Sequence, residues 1–184
     1  MSRITKPVEE RRQEIIDMAR KLFIENGFDK TAVSDISKKL NVAQGLTYHY
    51  FKSKSELLYA VIDEILKEEA VIMEEIILEH KGKAIDCLSV LISNKSKMEN
   101  YGELFPSLAE DQAIMEYAKR KMATSTEPIV LALIERGNKD GSWNCPYPRE
   151  TASFIMNGIS GKLSSSEQIA INIILRVLGL PKSN

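Results

Sequence analysis

The segment VAQGLTYHYFKSKSELL, from Val42 to Leu58, places Tyr48, His49, Tyr50 and Phe51 in a row with Lys52 and Lys54 directly behind them. Amide, phenol, imidazole and ammonium groups on one short stretch can hydrogen-bond base edges and pair with phosphates. Catalysis has less support. His49 and His80 are the only histidines, and the chain contains no phosphate loop, nucleophile elbow or paired metal ligands. The Glu-Glu pairs beginning at Glu9, Glu68 and Glu74 read as solvated helix faces. No enzyme activity, metal or cofactor is therefore expected.

The elements that must present this segment are helical. Ile15, Ile16, Ala19, Leu22 and Phe23 recur at three- and four-residue spacing between Val8 and Asn26, which predicts an amphipathic helix. Asn26-Gly27 stops it, with Phe28 placed to pack back. A short second helix follows Thr31, with Val33, Ile36 and Leu40 as its inner row, and Asn41 tolerates the left-handed turn after it. A third helix is predicted from about Gln44 to Tyr50. Two short helices joined by a tight turn make a helix-turn-helix unit. On the third helix Ala43, Thr47 and Phe51 form an inner row, and Gln44, Gly45, Tyr48 and His49 share the other face. Gly45 has no side chain to hold the backbone away from DNA.

Composition is that of an ordinary globular protein: 184 residues, 43% hydrophobic and 28% charged, with a net charge of −1. The charge is unevenly placed. Residues 1–54 hold eleven basic and seven acidic side chains, the remainder fourteen and nineteen. A basic third on an acidic body suits an end that meets a polyanion. Cys87 and Cys145 are too few and too isolated for a disulfide framework or a zinc site and predict two free thiols. No apolar run approaches a membrane span, and the charged N-terminal stretch does not read as a signal peptide, so a cytoplasmic protein without membrane contact is expected.

The stretches IIDMARKLFIENGFDKTAVSDISKKLNV and GLTYHYFKSKSELLYAVID, within about residues 9–69, resemble the DNA-binding domain of the tetracycline-repressor (TetR) family of bacterial transcriptional regulators. A weaker similarity covers LIERGNKDGSWNCPYPRETASFIMNGISG, which precedes the dimerising helices in that family. The chain departs from the family pattern in four places. Asn41 stands where Gly is usual. Ala43 replaces a capping Ser or Thr, at a cost of about 1 kcal/mol. Leu46 replaces a small polar residue and could touch a thymine methyl or simply pack. Thr47 replaces an apolar residue, so its hydroxyl is expected to bond back to its own helix.

The resemblance implies an all-α chain of about nine helices. An N-terminal three-helix DNA-binding domain (residues 1–53, with the helix-turn-helix at about 31–51) would precede a helical effector-binding and dimerisation domain (54–184). The expected partners are double-stranded DNA carrying a near-palindromic operator, a second copy of the chain as a homodimer, and a small, mostly apolar effector that releases the operator. The expected DNA-contacting residues are Thr31, Ser34, Gln44, Gly45, Leu46, Tyr48, His49, Tyr50, Lys52 and Lys54. A helical module that binds a protein partner is the alternative, and only DNA binding should weaken steeply with salt.

Ser53 and Glu56 have capping-box spacing and open a fourth helix running to about His80. A fifth helix carries Ile85, Leu88, Leu91 and Ile92. A short sixth lies around Tyr101 to Pro106, and a long seventh runs from about Ala109 to Arg136, which Pro128 should kink or restart. Breaks at Tyr101-Gly102, Pro106 and Pro128 favour an effector pocket drawing on Met73, Ile77, Leu88, Tyr101, Phe105, Met115, Tyr117 and Met122. In the last helix only Gln168, Asn172 and Arg176 form a polar row. Its apolar remainder predicts burial by a second chain as well as by its own core. The expected dimer interface is Phe154, Ile155, Gly158, Ile159, Ile171, Ile174, Leu175 and Leu178.

Overall fold

The computed structural model describes residues 7–93, 108, 111–160 and 167–180. Among these residues the chain forms eight helices and no strand: α1 (Val8–Asn26), α2 (Val33–Lys39), α3 (Gln44–Tyr50), α4 (Lys54–Glu79), α5 (Ala84–Ser93), α6 (Gln112–Asp140), α7 (Pro148–Ser160) and α8 (Glu167–Val177). The ninth expected helix, around Tyr101 to Pro106, lies outside the described residues. Pro128 neither restarts nor ends its helix, and α6 continues through it. Proline removes a single backbone donor, which a 29-residue helix tolerates with intact turns on either side. The chain divides into two compact units, one reaching Ile65 and including Leu108 and residues 111–115, the other formed by the described residues of 66–99 and from Glu116 onward.

In the first unit the five residues expected to face inward on α1 are its five buried ones. Gly27 ends that helix at φ 84°, ψ 151°, a backbone conformation essentially confined to glycine. Leu57, Leu58, Val61, Ile62 and Ile65, from the first three turns of α4, are fully buried. This explains why the unit extends past residue 53 to Ile65. Ser53 accepts a hydrogen bond from the Glu56 amide at 3.0 Å, as a capping box requires, but the Glu56 carboxylate reaches the Lys52 amide (2.6 Å) rather than that of Ser53.

The second unit is organised around the corner between α4 and α5. The last carbonyls of α4 and the first amides of α5 lack intrahelical partners, and the end of α6 supplies them. The Arg136 guanidinium donates to the carbonyls of Ile77 (2.7 Å), His80 (2.5 Å) and Gly82 (2.5 Å). The Asp140 carboxylate accepts from the Ala84 amide at 2.7 Å, and Ser142 Oγ accepts from the Ile85 amide at 3.2 Å. The hydrogen bond from Ser142, with those from the Ala84 and Ser142 amides and the charge of Arg136, holds the Asp140 carboxyl below its usual pKa against a smaller desolvation effect. A cation at one helix C-terminus and an anion at the next N-terminus also suit the helix dipoles.

The core beside this corner joins Ile77, Ala84, Cys87, Leu133, Ile134, Trp143 and Cys145. Trp143 donates its indole N–H to the Ile134 carbonyl at 2.9 Å. Its ring lies so close to Gly137 that a Cβ there would stand 2.0 Å from it, so α6 must carry glycine at that point. Both cysteines are free and buried, and burial raises the Cys87 pKa while the nearby Arg136 charge opposes the shift. On α4, burial first and the Glu68 charge second push the Glu69 carboxyl from 4.5 to about 7.

Replacing Arg136 by Met should keep the aliphatic packing but strand three carbonyls. We expect a loss of about 2–3 kcal/mol, read as a lower urea midpoint. Glu69 should make stability depend on pH. Below 4.5 the carboxyl is protonated folded or unfolded and has no effect, and stability is lost as pH rises from 4.5 through 7. Glu69→Gln should therefore melt higher than the native chain at pH 8 and alike at about pH 3.5, below both pKa values. Equal melting temperatures at both pH values would contradict this.

Candidate nucleic-acid interface

Before α3 can present its outer face, α2 must be held in place. The Asp35 carboxylate accepts the Ala32 amide at 3.0 Å, satisfying one donor at the start of α2. The turn after α2 is a Schellman motif: Val42 N–H donates to the Ser37 carbonyl (3.0 Å) and Asn41 N–H to that of Lys38 (3.1 Å). Asn41 takes φ 53° there, as its position predicts.

Behind α3, Thr47 is fully buried and its hydroxyl lies 2.8 Å from that of Ser37 on α2. This corrects the expectation that Thr47 bonds back to its own helix. The neighbouring helix brings an acceptor within reach. Phe51 is buried at the end of α3, with the Arg12 guanidinium over its ring at 5.1 Å. Ala43, expected on the same inner row, is exposed and gives α3 no side-chain cap.

The outward face carries Gln44, Gly45, Tyr48 and His49, all exposed. A Cβ at Gly45 would meet nothing within 4 Å, so glycine is not required there by packing. Tyr50 is half-buried and meets the His49 ring edge-on, with centroids 5.6 Å apart. Leu46 and Ser34 are half-buried, while Lys52 is exposed and donates to the His49 carbonyl at 3.3 Å.

Two residues expected at the DNA surface are engaged by the protein's own backbone. Thr31 is buried, and its hydroxyl donates to the carbonyls of Leu22 (3.1 Å) and Gly27 (2.9 Å), tying the end of α1 to the start of α2. Lys54 donates to the carbonyls of Phe28 (2.9 Å) and Asp29 (3.4 Å), with its ammonium 4.2 Å from the Phe28 ring centroid. Phe28 in turn meets Phe23 edge-on at 5.3 Å. In both cases open backbone carbonyls of the protein itself take the donor. For Lys54 spacing alone carried no signal of this, because its acceptors are 25 and 26 residues away.

The expected effector residues are only partly gathered. Ile77 is buried in the core of the second unit, with Leu88 packed against it. Met73, Tyr117 and Met122 are half-buried in that unit, whereas Met115 belongs to the first. Tyr101 and Phe105 lie outside the described residues. A cleft of about 540 Å³ in the first unit, between Phe28-Asp29 and the start of α6, involves none of the eight.

At the expected dimer surface, Phe154 is 61% exposed and Gly158 half-buried. Ile155 and Leu178 are corrected: both are buried in the protomer's own core, in one cluster with Ile134 and Trp143, which leaves them no surface to offer a second chain. Ile174 also packs on that core, and Leu175 is half-buried. Nothing is described of the side chains of Ile159 and Ile171. Among the described residues, no helix is long and apolar enough to cross a membrane.

Comparison with known proteins points the same way as this geometry. A family model described as bacterial regulatory proteins, tetR family, matches residues 15–61. The fatty acid metabolism regulator protein of Bacillus subtilis (strain 168) is 39% identical over 80 residues, 44% of this chain and 41% of that protein. The HTH-type transcriptional regulator HbdR of Aromatoleum sp. (strain CIB) is 41% identical over 61 residues, 33% of this chain and 27% of that protein. The match thus spans less than half the length of these two curated relatives. Over a longer stretch the fold resembles that of RolR solved with resorcinol, with a TM-score of 0.66 at 19% identity, covering 94% of this chain and 89% of that one.

Proposed function

We propose that this chain, which belongs to the TetR family of bacterial regulatory proteins, acts in the cytoplasm as a homodimeric repressor that leaves its operator when a small, mostly apolar molecule binds. Regulators of this family are transcription factors and not enzymes. The observation that carries the reading is α3 itself: one face locked by Thr47 and Phe51, the other exposing Gln44, Gly45, Tyr48 and His49. Such a helix enters a major groove, where amide, phenol and imidazole groups meet base edges and phosphates. Leu46 and Tyr50 flank this face, Lys52 extends it with a charge, and Ser34 stands at the start of α2.

Two copies would read the half-sites of a near-palindrome. Among the described residues, the exposed Phe154, with Gly158 and Leu175, is the part of the expected dimer surface that the protomer's own core leaves available. An effector would lodge beside Met73, Leu88, Tyr117 and Met122. The resorcinol held by RolR, a chain of similar fold, supports a small aromatic ligand. To act, it must bind the DNA-incompetent arrangement more tightly than the competent one.

Tyr48→Ala and His49→Ala should each weaken binding to a selected operator duplex by about 1–3 kcal/mol. Affinity of the native chain should also fall steeply with added salt. Anisotropy titrations at several salt concentrations check both, and unchanged binding by both variants would remove these residues from the interface. Light scattering at micromolar concentration should give twice the 20.7 kDa protomer mass, and a folded monomer would end the dimer proposal.

A further inference from the structure

We infer that the buried hydroxyl pair of Ser37 and Thr47 sets the angle at which α3 is presented, making both of them positioning residues for DNA reading. The inference rests on the DNA-binding function proposed above. Ser37 Oγ donates to the Val33 carbonyl at 3.0 Å. A hydroxyl has one proton, so in the 2.8 Å pair it is Thr47 that donates and Ser37 that accepts. A directed chain runs from Thr47 through Ser37 to the backbone of α2. Ser37 is 2% exposed and Thr47 is 0% exposed, while the other largest fully buried side chains are all aliphatic or aromatic.

Apolar burial is non-directional and would let a two-turn helix roll. A hydrogen bond weakens steeply away from linearity and resists that roll. Gly45 and His49 lie nearly opposite Thr47 around α3, with Gln44 and Tyr48 on the flank. Including side chains, a helix has a radius of about 5–6 Å, so a roll of about 20° shifts its outer tips by about 2 Å. That is enough to break a contact to a base edge. Contacts to phosphates from flexible side chains such as Lys52 would survive it. The pair should therefore matter more for selectivity than for stability, as buried polar groups do where they fix a unique arrangement.

The test uses the full chain, a duplex that the native chain selects from a random-sequence pool, and an unselected duplex of the same length. Replacing both partners together, S37A/T47V, leaves no stranded donor and should melt within about 2 °C of the native chain. It should bind the unselected duplex as the native chain does and lose about tenfold or more in affinity for the selected one. T47S, which keeps the hydroxyl, should hold the native preference, and T47V should lose it. A double variant with the native ratio between the two duplexes would overturn the inference, whether or not its melting temperature falls. T47S losing as much preference as T47V would overturn it too, and this comparison decides the matter if the double variant does not fold. A native chain that enriches no duplex at all would instead overturn the proposed DNA binding.

Discussion

A helix of seven residues has almost no stability of its own. Helix nucleation fixes several dihedral angles for one hydrogen bond, and isolated helices below about 12 residues are marginal in water. Both α2 and α3 have seven residues, so the surface that would meet DNA exists only because other elements hold it. That constraint accounts for much of the first unit. It explains why α1 buries a complete apolar face, why Arg12 lies over Phe51, and why the turn at Asn41 closes two backbone hydrogen bonds at once.

The same demand decides which polar groups remain for recognition. Helix ends leave backbone carbonyls and amides that must find partners, and the nearest donors take them. Thr31 and Lys54 bond the carbonyls around the end of α1 and the loop after it. What stays outward is a compact set on one face of α3, with Lys52 beside it. A narrower contact surface concentrates discrimination in few side chains, and their orientation then matters more than their number.

In the second unit the equivalent role falls to the end of α6. Arg136 and Asp140, four residues apart, satisfy the end of one helix and the start of the next. One turn of α6 thereby holds the α4–α5 corner through opposite charges. Trp143 closes over Gly137 behind it, where a larger residue could not stand. Ligand-dependent motion in this unit would have to carry that corner along or break it.

Periodicity and composition by themselves determined the helical class, the bounds of α1 to α4 within a residue or two, the inner row of α1 and the outward face of α3. They could do so because these features depend on neighbours three or four residues away, where a helix brings side chains together. The Asn41 turn was legible for the same reason. The main departures involve partners distant in sequence. Thr47 turned to Ser37 on another helix, and Lys54 reached back to Phe28. Ile155 and Leu178 were claimed by their own core rather than left for a second chain. An apolar or hydroxyl side chain declares that it needs a partner, but only the tertiary structure decides which of several candidates comes close enough, because hydrogen bonds and packing contacts are made over only a few ångströms.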